Sequence, residues 1–114
     1  MQGTSLVVLM FFAGCGTSLS QIAATQPACF EDVGCPHKDR ITEAQARDLS
    51  CQNLWLVRNT IYYQRGYCFQ TERGRKAFSN SRCSINSIAN LKLNPIERAN
   101  VATLQRIERR KGCH

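Results

Sequence analysis

The sequence predicts a small all-α domain of three to four helices, stapled by disulfides. Apolar residues recur at the offsets of one helical face in residues 51–65 and again in 96–107, and no stretch alternates with period two. Two capping signatures, Thr42-x-x-Gln45 and Asn94-Pro95-x-Glu97, stand where helices should begin. Seven cysteines in 114 residues supply crosslinks for a chain too short to depend on its core alone.

Taken in order, Thr42 opens a short first helix that includes Ala44 to Leu49. Ser50 either caps the second helix or lies inside one continuous with the first. Within 51–65 the expected stripe is Leu54, Trp55, Arg58, Ile61, Tyr62 and Arg65. Gly66 fits the left-handed residue just past that helix, with Tyr67 folding back on its last turn. Thr71 caps a short third helix reaching Phe78, weakened in its middle by Gly74. Residues 79–90 read as a polar loop. The last helix starts at the cap Asn94, with Pro95 at its first position, and stops at Gly112. Its stripe is Ile96, Asn100, Leu104 and Ile107, with Val101 beside it. Arg109, Arg110 and Lys111 complement its negative end.

The cysteines also bear on compartment. So many in a short chain point to export into an oxidising space. No Cys-x-x-Cys pair is present, and Cys35-Pro36-His37 and Cys113-His114 lack zinc-ligand spacing, so neither metal nor cofactor is expected. Leu6 to Ala13 is an apolar run too short to span a bilayer but long enough for a signal-peptide core. Phe12-Ala13-Gly14-Cys15 resembles the lipobox of bacterial lipoproteins, which implies cleavage before Cys15 and lipidation of its sulfur. Cleavage after Ser20 fits the small-residue rule as well. The resulting organisation is a signal peptide over 1–14, a tether over 15–28 and a helical domain over 29–114.

Removing or lipidating Cys15 leaves six cysteines, an even set that can close completely. Cys51 and Cys68 lie at opposite ends of a helix roughly 22 Å long, whereas a disulfide needs α-carbons within about 7 Å. They cannot pair with each other. Cys29 with Cys35 closes a local loop. The expected remainder is Cys68–Cys83 with Cys51–Cys113, and the swapped set, Cys51–Cys83 with Cys68–Cys113, is the alternative.

Leu54-Trp55-x-x-Arg58-Asn59-x-Ile61-Tyr62-x-x-x-Gly66-Tyr67-x-Phe69 resembles the core of the YARHG domain, over roughly residues 48–112. The five letters that name the family stand here as Tyr62-Tyr63-Gln64-Arg65-Gly66, matching at the first and last. The Gly-Tyr-Cys-Phe hook and terminal Gly-Cys are similar to short, Cys-rich exported members from Gram-negative bacteria. The resemblance implies a small extracellular module and supplies no catalytic mechanism.

Charge suggests how such a module works. The net charge of +7 is uneven: up to residue 57 three Lys/Arg face five Asp/Glu, and from Arg58 onward twelve face three. A basic half favours anionic partners, although the same charge also keeps an exported surface soluble. Arg58 carries two readings. As a ligand-binding group, backed by Asn59 and accompanied by Arg65, it would hold an anion. As a structural group it would donate to backbone carbonyls or to Glu97 or Glu108, and that reading is preferred because a buried guanidinium requires paired donors. Tyr62 and Trp55 share the face of Arg58 and are expected in the core rather than as a ligand platform.

Catalysis is not expected, because the only histidines are His37, in a loop, and His114, at the last position. Interleaved Tyr and Arg are found in nucleic-acid binders, yet an envelope location keeps that partner out of reach. The expected function is a non-catalytic exported binding or structural module of the cell envelope, periplasmic or on the outer envelope. Its partner would be an anionic envelope component or an envelope protein, with membrane contact only through a lipid on Cys15. The alternatives are a small secreted nuclease-like effector and a disulfide-rich inhibitor of an envelope hydrolase.

Overall fold

The structure, a computed structural model, describes residues 28–114. The expected signal peptide, the lipidation of Cys15 and the tether through Pro27 therefore lie outside the described residues. Four helices make up the domain: α1 (Glu43–Arg47), α2 (Cys51–Gln64), α3 (Glu72–Ala77) and α4 (Pro95–Lys111). A single 3₁₀ turn, Ile88–Asn90, interrupts the loop before α4. Among the described residues the only β-type pairings are isolated bridges, Phe30 with Gly34 and Tyr67 with Ile85.

Local chemistry sets each boundary. Thr42 and Gln45 close a reciprocal capping box at α1, which ends at Arg47 with Asp48 as its C-cap, so Leu49 falls outside it. Ser50 accepts from the Asn53 N–H and starts α2 as a separate helix. Gly66 follows α2 with φ 89°, and Tyr67 N–H returns to the Tyr62 carbonyl. Asn94 and Glu97 form a second capping box at α4, whose far end is closed by Gly112 in the left-handed region.

Cys51, opening α2, is bonded to Cys113, just past α4, so the two long helices run antiparallel. Leu54, Val57 and Ile61 of α2 meet Leu104 and Ile107 of α4 in an aliphatic core, joined by Val33, Ile41, Ala46 and Leu49. The centre of the α2 stripe thus lies at Leu54–Val57–Ile61, rotated from the expected line. Trp55, expected in the core, is only partly buried, and Arg58 flanks the stripe. Val33 of the N-terminal loop lies beside Val57, and Ile41 joins the same core. A second, aromatic cluster gathers Tyr62, Phe69 and Leu91 with Tyr67, Phe78 and Ile85. Phe69 and Phe78 stack at 4.7 Å, and Tyr67 meets Phe69 edge-on at 4.9 Å.

Gly74 serves this cluster. A Cβ there would lie 2.7 Å from Phe69 Cδ1, so glycine is required for contact between α3 and the ring, not merely tolerated. Buried Asn100 ties the N-terminal loop to α4. Its Oδ1 accepts from Ile41 N–H at 2.8 Å, and its Nδ2 donates to the carbonyls of Pro36 and Asp39. An asparagine on the expected apolar stripe of α4 is thereby fully bonded in the interior.

The disulfides are Cys29–Cys35, Cys51–Cys113 and Cys68–Cys83, rather than the swapped arrangement. Their sequence separations of 6, 62 and 15 correspond to about 2, 4 and 3 kcal/mol of lost unfolded-state freedom on the chain-entropy model. Three such bonds in so small a domain are the mark of an exported protein.

Candidate functional site

Of the arginines singled out in the sequence, Arg58 sits on α2 and Arg65 is its C-cap, and both point at carboxylates of α4. Arg58 grips Glu108 in a two-point fork, Nε to Oε1 at 2.6 Å and Nη2 to Oε2 at 2.9 Å. Their side chains are 19% and 13% exposed, and the hydrogen bond that Arg58 donates to Glu108 raises the Arg58 pKa against the opposing effect of burial. Arg65, one α2 heptad on, bonds Glu97 through Nε at 2.9 Å and Nη2 at 2.8 Å. Glu97 is almost wholly buried and also receives the Asn94 N–H of its own capping box. Antiparallel packing imposes this order, with the earlier arginine meeting the later glutamate.

Asn59 does not join Arg58 at a ligand site. It is buried, and its amide donates to the Trp55 carbonyl one turn back. Leu54, Ile61, Tyr62 and Phe69 are core residues, while Tyr67 is half-buried at the edge of the aromatic cluster. The Gly66 carbonyl accepts from the N–H groups of Ser84 and Ile85, so the hook after α2 anchors the next loop. Asn80 bonds both the N–H and the carbonyl of Phe69. This block of sequence builds and closes the domain.

Two surface depressions flank the α2–α4 seam. One, of about 170 Å³, is lined by Pro36, His37, Thr60, Ile61, Arg65 and Glu97 among others. His37 Nδ1 is buried there without a hydrogen-bond partner. The second, of about 320 Å³, is open and lined by Trp55, Arg58, Gln105, Glu108, Arg109 and His114 beside the Cys51–Cys113 bond. Arg73 lies over the Trp55 ring at 3.9 Å and bonds Gln52, so one face of the indole is already covered by a cation. The two histidines therefore line different depressions.

A third constellation, absent from the sequence reading, centres on Glu43 in the first turn of α1. Arg106 Nε reaches its Oε2 at 2.9 Å, Arg110 Nη1 its Oε1 at 3.2 Å, and Arg47 Nη1 the same oxygen at 3.6 Å. Hydrogen bonds from Arg106 first and Arg110 second hold the Glu43 carboxyl below its ordinary pKa. Three of these partners join residues more than sixty positions apart or one helical turn apart, and only the latter spacing is visible in a sequence.

Across the described residues six of the fifteen Lys/Arg side chains have a carboxylate within ion-pair distance. The other nine, including Arg73, Arg82, Lys92, Arg98 and Arg109, have none. Among the described residues no group of His, Cys, Asp and Glu is arranged to hold a metal ion, and no helix is long and apolar enough to cross a membrane.

The family model described as YARHG domain matches residues 37–109, more than half of the chain. The match begins at His37 and so takes in the end of the loop before α1, the helices α1 to α3 and α4 as far as Arg109. No curated protein and no solved structure matches this chain.

Proposed function

We propose, from the premise that this chain belongs to the YARHG domain family, that it is an exported, non-catalytic binding module of the bacterial cell envelope. Its ligand is an anionic envelope component or an acidic surface of an envelope protein. The observation that carries the reading is the set of nine cations without a carboxylate partner, set against motif arginines fully engaged by Glu97 and Glu108. Exposed, unneutralised guanidinium and ammonium groups attract polyanions and steer their approach.

Binding rather than catalysis is supported by the separation of His37 and His114, and by carboxylates held in ion pairs instead of being poised as a base. The full chain, purified with its disulfides formed, should co-sediment with peptidoglycan, lipopolysaccharide or anionic liposomes. Binding should weaken as salt rises. Absence of binding to all three, at every salt concentration, would end the electrostatic reading. Cleavage of RNA by the wild type, lost in His37→Ala or His114→Ala, would replace it with the nuclease-like alternative.

A further inference from the structure

We infer that the Glu43-centred arginine cluster is a binding site for a phosphomonoester. The inference rests on the anionic-ligand reading above and adds one place and one chemistry to it, at arginines that share a carboxylate rather than at the nine cations that have none. Three guanidinium groups meet a single carboxylate, which leaves two positive charges unneutralised at one spot. That residual charge matches a phosphate monoester, which carries close to two negative charges above its second pKa of about 6.

Donors as well as charge are in surplus. Each guanidinium offers five N–H groups in a rigid fork. Arg106 uses its Nε–H on Glu43 and an Nη2–H on Thr103, and Arg110 uses an Nη1–H on Glu43. The rest of each fork is open to an oxyanion, for the arginine side chains here are accessible: Arg106 is 39% exposed, Arg110 56% and Arg47 57%. Planar forks bind phosphate oxygens two at a time, which a point-charge lysine does not.

The site is also held in shape. Arg106 and Arg110 lie one turn apart on α4, the longest helix of the domain. Glu43 is fixed at the start of α1 by the Thr42–Gln45 capping box, and Asn100 of α4 bonds the backbone of Ile41 just before that box. Glu43 thus acts as a resident counter-anion. It keeps three like charges converged in the free protein, at the cost of competing with an incoming phosphate.

The competition makes the inference testable in both directions. Titrate the oxidised full chain with glycerol 3-phosphate, and separately with vesicles containing phosphatidic acid (a monoester headgroup) or phosphatidylglycerol (a diester) at equal charge. Wild type should favour the monoester in either form, and more strongly at pH 7.5 than at pH 5.5. Response to glycerol 3-phosphate alone would identify a soluble ligand, and response to phosphatidic acid vesicles alone a membrane-borne one.

Glu43→Gln should tighten monoester binding roughly two- to fivefold, and Arg110→Gln should weaken it by a similar factor. Circular dichroism of each variant verifies the fold. Equal binding of both vesicle types, unchanged in both variants, would overturn this site while leaving the general anionic reading intact. No binding to any of these probes would overturn this site, and the general reading would fall with it only if peptidoglycan and lipopolysaccharide were not bound either.

Discussion

Arginine is used in two different ways on the two sides of α4. Towards α2, Arg58 and Arg65 each have a carboxylate of their own, with Glu97 and Glu108 largely withdrawn from water. Towards α1, one half-exposed carboxylate serves three arginines. Desolvation accounts for the difference. A charge withdrawn from water must be neutralised and bonded almost completely, so the buried pairs are one to one. A charge that keeps its water need not be, and surplus accumulates where screening makes it tolerable. It follows that the arginines marked by the sequence block pair across the helices, whereas those around Glu43 keep charge that their carboxylate does not neutralise.

The sharpest way to break this comparison is at Glu97. Glu97→Ala should cost about 3 kcal/mol, from loss of the capping box together with the partner of Arg65, read by urea unfolding with the disulfides intact. The cost is held to that range because Arg65, 37% exposed, can turn to solvent. Glu97→Gln retains an amide for the Asn94 N–H and should recover roughly half of the loss. A cost below about 1 kcal/mol for the alanine variant would mean that the buried pair does not organise the domain.

A smaller effect is expected at Arg58. Arg58→Lys keeps the charge but removes the fork on Glu108, and should cost about 1–2 kcal/mol. Equal stability of the lysine variant would place this pair with the exposed charges of the α1 side.

Much of the fold was legible because it is local. Thr42 with Gln45, Asn94 with Glu97, and the glycines at 66 and 112 each act within a few residues of their own position. The phase of the α2 stripe was not legible. Helical periodicity gives a repeat, while the burial of Val57 over Trp55 involves partners distant in sequence, among them Val33 of the N-terminal loop. For the same reason the sequence offered Glu97 or Glu108 for Arg58 without choosing, since the choice depends on how far the 65–94 connection lets α4 slide along α2. The room that Gly74 makes was not legible, because the Phe69 ring it accommodates lies outside its own helix. The Glu43 cluster was invisible: its strongest bonds cross from α1 to the far end of α4.

The comparison can finally be sharpened with acid. Glu43 has a carboxyl depressed chiefly by the hydrogen bond from Arg106, then by that from Arg110, with Arg47 the remaining charge against it. A depressed carboxyl contributes stability that is fully present above its ordinary pKa, 4.5 here, and is lost as pH falls through its lower folded value. Wild type should therefore lose more stability than Glu43→Gln as pH is lowered below about 4.5. The other carboxylates titrate in both chains, so the difference between the two curves isolates Glu43. The gap should be small and should shrink further in high salt, because the cluster stands in water. Curves that run parallel through acid would show that Glu43 gains nothing from its arginines, and the convergence of three cations would then need a different explanation from the one offered by a resident counter-anion.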